Sequence, residues 1–171
     1  MEELLLVTPD ANWKTQAEAY KKSHLDHGET VMHGSAFYHE MPYDEWLVSL
    51  RKRKEDQPGR VPSSTFFCVR GSDSKIIGML DIRHHLNEQL KQYGGQSGFG
   101  ICPCERQKGY AVPIVQKALL YSKRLGLGRV MRTCDEDNLA SKKAIADCGG
   151  VLEREFVHTD GKTVDVFWVE T

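Results

Sequence analysis

The residues best placed to do chemistry lie together in Cys104-Glu105-Arg106-Gln107-Lys108-Gly109-Tyr110-Ala111. The apolar alternating run Gly98-Phe99-Gly100-Ile101-Cys102 enters this stretch through Pro103, and the amphipathic segment Tyr110 to Leu125 leaves it. That order predicts a strand, a tight loop and a helix N-terminus, with a Gly and a small residue where main-chain N–H groups must stay uncovered. The first N–H groups of a helix lack intrahelical acceptors and sit at the positive end of its dipole, so the corner attracts phosphate. Arg106 and Lys108 are expected to add mobile positive charge there. Neither Gly-x-x-x-x-Gly-Lys-Ser/Thr nor Gly-x-Gly-x-x-Gly occurs, so the corner belongs to neither of the commoner phosphate-binding kinds.

Elements around the corner follow from local pattern. Leu4 to Val7 reads as a short strand, and Trp13, Ala17, Tyr20 and His24 recur at helical spacing up to Gly28. Residues 29–41 have no period and read as a loop. A helix is expected from Pro42, with Trp46, Leu47 and Leu50 on its apolar face and the basic run Arg51 to Lys54 at its end. Thr65 to Val69 and Ile76 to Ile82 read as paired strands, residues 86–95 as a polar loop with room for a helical turn, and 96–102 as another strand. Ala111, Ile114, Val115, Ala118 and Leu119 give the next helix its core stripe. A strand at 129–134 follows, then a short helix capped by Asn138 and closed at Gly149-Gly150. A hairpin turning at Asp160-Gly161 ends the chain.

Arg106-x-x-Gly109-x-Ala111 resembles the Q/R-x-x-G-x-G/A loop of the Gcn5-related N-acetyltransferases, the GNAT superfamily, and Asn138-Leu139-Ala140-Ser141 resembles that family's second segment in contact with coenzyme A (CoA). The likeness spans roughly Phe66 to Phe156 and is strongest toward small bacterial predicted acetyltransferases. It implies an α/β fold: a mixed, mostly antiparallel sheet of six or seven strands flanked by about four helices, as one domain over residues 1–171. It also implies acetyl-CoA as cosubstrate and transfer of the acetyl group to a small-molecule or peptide amine by direct attack in a ternary complex. Arg106, Gln107, Lys108, Gly109, Tyr110 and Ala111 would hold the pyrophosphate, with Asn138 and Ser141 beside them. Main-chain groups at Ile101 and Cys102 would pair with the pantetheine amides, and one N–H there could face the thioester oxygen. The Tyr that many relatives place in the helix after Asn138 falls here at Ile145, so the usual acid is missing. Alternatives are a non-catalytic acyl-CoA-binding module, another acyl group, or a hydroxyl acceptor.

An amine with a pKa near 10 is only about 0.1% neutral at pH 7, so a proton acceptor is needed. Asp81 and His84, with His85 beyond them, are the candidates. Asp81 and Arg83 share one strand face, and His84 points the other way. His33, Tyr38, His39 and Glu40 are candidates for the acceptor pocket. A structural role, as a surface ion pair or a bonded core group, is the competing account of each.

Composition sets the remaining bounds. At 171 residues the chain can bury one substantial core. With 23 basic and 24 acidic residues, no global field favours nucleic acid. No apolar run reaches the roughly 18 residues of a membrane span, and the acidic start does not suit a signal peptide. Five cysteines without a framework point to free thiols and a cytoplasmic setting. Cys102-Pro103-Cys104 alone does not make a metal site, so no metal is expected. A second copy of the chain is admitted as a partner.

Overall fold

The computed structural model describes residues 3–171. Seven strands and four α-helices alternate along the chain: β1 (Leu4–Val7), α1 (Lys14–Asp26), α2 (Tyr43–Lys52), β2 (Ser63–Arg70), β3 (Lys75–Arg83), β4 (Ser97–Ile101), α3 (Ala111–Arg124), β5 (Arg129–Asp135), α4 (Leu139–Asp147), β6 (Val151–Val157) and β7 (Thr163–Glu170). Each expected element is present. The loop at 86–95 holds a single π turn at Leu90–Gly94. No helix among the described residues is long and apolar enough to cross a membrane.

The sheet is divided into two antiparallel halves, ordered β1-β2-β3-β4 and β5-β7-β6. They meet where the Gln96 N–H donates to the Met131 carbonyl at 2.7 Å, and no ladder forms beyond that point. The side chain wedged at the divide is Arg132, 2% exposed, which donates to Ser97 Oγ at 2.5 Å and lies 5.2 Å from the centre of the Phe99 ring. A guanidinium thus stands between the two halves, and burial holds its pKa down to about 10.

Three apolar clusters fix the layers. Ala17 and Tyr20 of α1 and Trp46 of α2 pack with Phe67, Val69 and Met79 on one sheet face. Ile114 and Ala118 of α3 meet Ile77, Leu80 and Ile82 on the other. Ile145 of α4 covers Phe167 and Val169 of β7. Trp46 is wholly buried, and its indole donates to the Ser35 carbonyl at 2.9 Å, which removes the penalty of an unmet donor.

Residues 29–41, without period in the sequence, are tightly shaped. Gly34, Ala36 and Phe37 all have left-handed backbone, at φ 69°, 49° and 67°. The chain at His33-Gly34 lies flat on β4: a Cβ on Gly34 would stand 2.6 Å from Phe99 Cα, and one on Gly100 would stand 2.6 Å from the His33 carbonyl oxygen. Glycines on both sides permit this approach.

Candidate active site

The corner before α3 is built as its residue types require. Gln107 and Gly109 take left-handed backbone, at φ 61° and 85°. The first backbone bond of the helix is Ile114 N–H to the Tyr110 carbonyl, at 3.1 Å. Among the described residues, no N–H from Gln107 to Val112 donates to any protein acceptor. Pro113 has no N–H to satisfy. A run of unmet donors at a helix mouth needs water or an anion. The groove in front of it encloses about 920 Å³ and is bordered by Ile101, Arg106, Gln107, Gly109, Tyr110 and Ala111, and across from them by Asn138 and Ser141. Asn138 Oδ1 caps α4 by accepting from the Ser141 N–H at 3.1 Å.

β4 forms the groove's floor. The Cys102 N–H donates to the Ile77 carbonyl at 2.8 Å, and the Arg83 N–H donates to the Gln96 carbonyl at 2.8 Å. Antiparallel alternation therefore turns the main-chain groups of Gly98, Gly100 and Cys102 toward β3 and those of Phe99 and Ile101 away from it. The Ile101 carbonyl accepts from Arg106 Nε at 3.2 Å. What stays open on this edge is the Ile101 N–H and both main-chain groups of Phe99.

One expected contact is corrected by this geometry and the form of another is changed. Cys102 spends its N–H on β3, and its side chain is buried beside Ser23, outside the groove. The Lys108 ammonium turns away to Glu105 Oε2, at 3.0 Å, so its charge does not face the groove, and what the residue leaves free in the loop is its main-chain N–H. Arg106 does border the groove, but its charge is not mobile: the guanidinium is forked onto Glu29 at 2.5 and 2.8 Å. Glu29 also meets His24 Nδ1 at 2.7 Å. Hydrogen bonds from Arg106 hold the Glu29 carboxyl down at about 2. Glu29 was not legible from local pattern, because an ion pair between positions 29 and 106 leaves none. Val112, Ala140, Ala144 and Asp147 also border the groove. The last three were legible as one face of α4 at three- and four-residue spacing.

Glu105 anchors the loop from below. It is 3% exposed and meets Lys75 at 2.6 Å and both Arg70 and Lys108 at 3.0 Å. Burial alone would raise its pKa. The bonds and charges of Lys75, Lys108 and Arg70 prevail and pull it from 4.5 to about 2. Its folded value is depressed, so its stabilisation is fully present above about pH 4.5 and is lost as pH falls through about 2. Glu105→Gln leaves three cations without their carboxylate and is expected to cost about 2 kcal/mol at pH 7 by urea unfolding. The deficit should shrink as the parent's own carboxyl protonates.

A second cavity, of about 450 Å³, lies on the far side of the His33-Gly34 crossing. Val31 and His33 border both cavities. Asp81 borders the second one; it is 5% exposed and accepts from the Thr65 hydroxyl at 2.8 Å. His84 borders neither. Its Nε2 stands 2.8 Å from Ser64 Oγ, which is 3.0 Å from the Tyr121 hydroxyl on α3, so the strand's alternation carries His84 to the opposite face. His85 pairs with Asp56 at 3.4 Å. Of the loop candidates, His33 and His39 border the second cavity, Tyr38 is core, and Glu40 borders neither. Ile145 is 1% exposed in the core, turned away from the face of α4 that lines the groove.

The Cys102 and Cys104 sulfurs stand 3.2 Å apart. Burial opposes ionisation of Cys104, but hydrogen bonds from Cys102 and Ser23 and the Lys75 ammonium outweigh it and lower its pKa. Cys68, Cys102, Cys134 and Cys148 are all pushed up by burial. Iodoacetamide at pH 7.5 should therefore label Cys104 first, at least tenfold faster than Cys68 by peptide mass analysis (about one decade of thiolate per pKa unit). Among the described residues no cluster of three or more His, Cys, Asp or Glu is placed to hold a metal.

Residues 11–151 match the family described as acetyltransferase (GNAT) domain. No curated protein matches the chain by sequence. Solved structures share its fold. A protein of Bordetella pertussis assigned as a GnaT-family acetyltransferase has 13% identity and a TM-score of 0.68, over 99% of this chain and 96% of that one. The spermidine/spermine N-acetyltransferase SpeG of Vibrio cholerae, in mutant form, has 18% identity and a TM-score of 0.65, over 98% and 93%. The yncA protein of Salmonella typhimurium, assigned as an acetyltransferase and solved with its cofactor acetyl-CoA, has 11% identity and a TM-score of 0.67, over 98% and 93%.

Proposed function

The chain belongs to the GNAT acetyltransferase family, and from that premise we propose how an acetyl-CoA-dependent N-acetyltransferase works with these residues. The observation that carries the reading is the uninterrupted set of unmet N–H donors from Gln107 to Val112, opening on a groove large enough for an extended cosubstrate. Acetyl-CoA supplies an activated acyl carbon on a thiol leaving group. The loop amides receive the pyrophosphate, with Arg106, tied to Glu29, as the groove's wall. The open main-chain groups of Phe99 and Ile101 receive the pantetheine amides, and the Ile101 N–H is the donor available to the thioester oxygen. Asn138 and Ser141 close the groove from α4.

The acceptor enters from the second cavity, so both reactants meet at the crossing bordered by Val31 and His33. Direct attack in a ternary complex suits this arrangement, since no cysteine borders either cavity. Asp81 holds the entering amine, and His33, bordering both cavities, passes its proton outward. No acid from α4 is required, because a thiol of pKa near 8.5 leaves readily. The full chain acts as one domain, and its free cysteines accord with a cytoplasmic setting.

The test is thiol release from acetyl-CoA across a panel of amines, with the acetylated product identified by mass. Release that requires both substrates, without an acyl-enzyme burst, is the expected result. Saturable CoA binding with no product from any amine would overturn it in favour of a binding module.

A further inference from the structure

The charge in the second cavity is one-sided. Arg53, at the end of α2, Arg60, in the connector after it, and Arg83, at the end of β3, all border it, and among the described residues Asp81 is the only carboxylate that does. None of these arginines is within ion-pair distance of a carboxylate among the described residues. Arg83 donates to the Gly94 and Gly95 carbonyls at 3.2 and 3.1 Å, which satisfies part of its fork and leaves its charge unbalanced. Arg53 lies 5.1 Å from the centre of the Phe37 ring, and its Nε is buried with no partner. Burial first, then repulsion from Arg60, lowers the Arg53 pKa; the attraction of Asp81 opposes this and repulsion from Arg83 adds to it, so these charges act on one another across the cavity.

Holding three guanidinium groups together around a hollow without matching carboxylates is unfavourable unless something anionic fills it. A polyamine fits poorly: it would add positive charge to a site that already has an excess. Asp81 sits on the same wall as an acceptor for one ammonium or amine. Resting on the reading of this cavity as the acceptor site, we infer that the acceptor is a small amine that also carries a carboxylate or phosphate, its nitrogen at Asp81 and its anionic group among Arg53, Arg60 and Arg83. The volume of about 450 Å³ suits a compact molecule.

The test uses the full chain with saturating acetyl-CoA and four probes: O-phosphoethanolamine, a series of α-amino acids, ethanolamine and spermidine. The expected result is kcat/KM at least tenfold higher for one of the two anionic classes than for ethanolamine or spermidine, the class showing which anion is used (a charge-assisted bond is worth about 1.5–3 kcal/mol, or roughly 10- to 150-fold). Arg60 is exposed, so Arg60→Glu should fold normally. It should cut kcat/KM for the anionic amine by tenfold or more, through KM, raise that for spermidine, and leave acetyl-CoA affinity unchanged. Arg53→Met should lower the same KM-based preference and Arg53→Lys should restore part of it. Turnover that favours spermidine or ethanolamine, or Arg53 and Arg60 variants that scale all amines alike, overturns the anionic-acceptor inference and leaves the transferase reading intact. Acetyl-CoA binding with no amine turned over at all overturns both.

Discussion

Gly109→Val should bind acetyl-CoA at least about 100-fold more weakly by calorimetry, a loss of about 2.7 kcal/mol, while the protein stays folded. The reason is geometric. A Cβ at Gly109 would meet no protein atom within 4 Å, so the added bulk stays clear of the core, and Gly109 borders the groove among the loop amides, where a branched side chain is expected to cover them. The backbone there, at φ 85°, also resists any L side chain, at roughly 1–3 kcal/mol. Gly161→Val separates the two effects. Gly161 has φ 83° and equally open surroundings, but it lies in the β6–β7 turn, far along the chain from the groove. It should show the same loss of stability and an unchanged affinity. A Gly109→Val protein whose affinity lies within threefold of the parent would remove the loop from the cosubstrate site.

Gly34→Ala should cost about 3 kcal/mol of stability, from overpacking and left-handed strain together. For a chain of this size that lowers the melting temperature by roughly 10 °C. The new Cβ would stand 2.6 Å from Phe99 Cα and from the Met79 carbonyl oxygen, and 2.7 Å from the Gly98 carbonyl oxygen. All three are main-chain atoms of a sheet, which cannot swing aside as a side chain can. Gly59→Ala is the control: at φ 75° with nothing within 4 Å it carries the conformational cost alone, about 1 kcal/mol. Equal losses in the two variants would mean that the crossing is not packed against β4. Activity should also fall in Gly34→Ala, since lifting His33 opens the wall between the cavities.

The open corner before α3 was legible because its cause is local. A strand, two left-handed turn residues and a helix start lie within about a dozen positions, and Gly109 marks the tightest of them. The elements were legible for the same reason. The division of the sheet followed only from the family likeness, under which two central strands splay beside the loop at 104–111; Arg132 at the divide reads in the sequence as one more strand residue, and its burial against Ser97 and Phe99 is a tertiary fact. The loop at 29–41 was opaque for a related reason. Ala36 and Phe37 adopt a backbone that neither residue favours, and Trp46 helps to hold them there through Ser35. The roles given to Arg106 and Lys108 assumed free charges, whereas each had a carboxylate partner, Glu29 at long range and Glu105 within the same turn. His84 followed the strand's alternation, which the sequence did contain.

Val31 and His33 belong to two hollows at once, and that shared partition has a thermodynamic corollary. Whatever pushes it from one side is felt on the other, so the free energy by which a ligand in the larger groove eases or hinders a second ligand beyond the partition must equal the reverse effect. Order of addition then becomes a matter of rates, and titrating either ligand in the presence of the other should return one and the same factor.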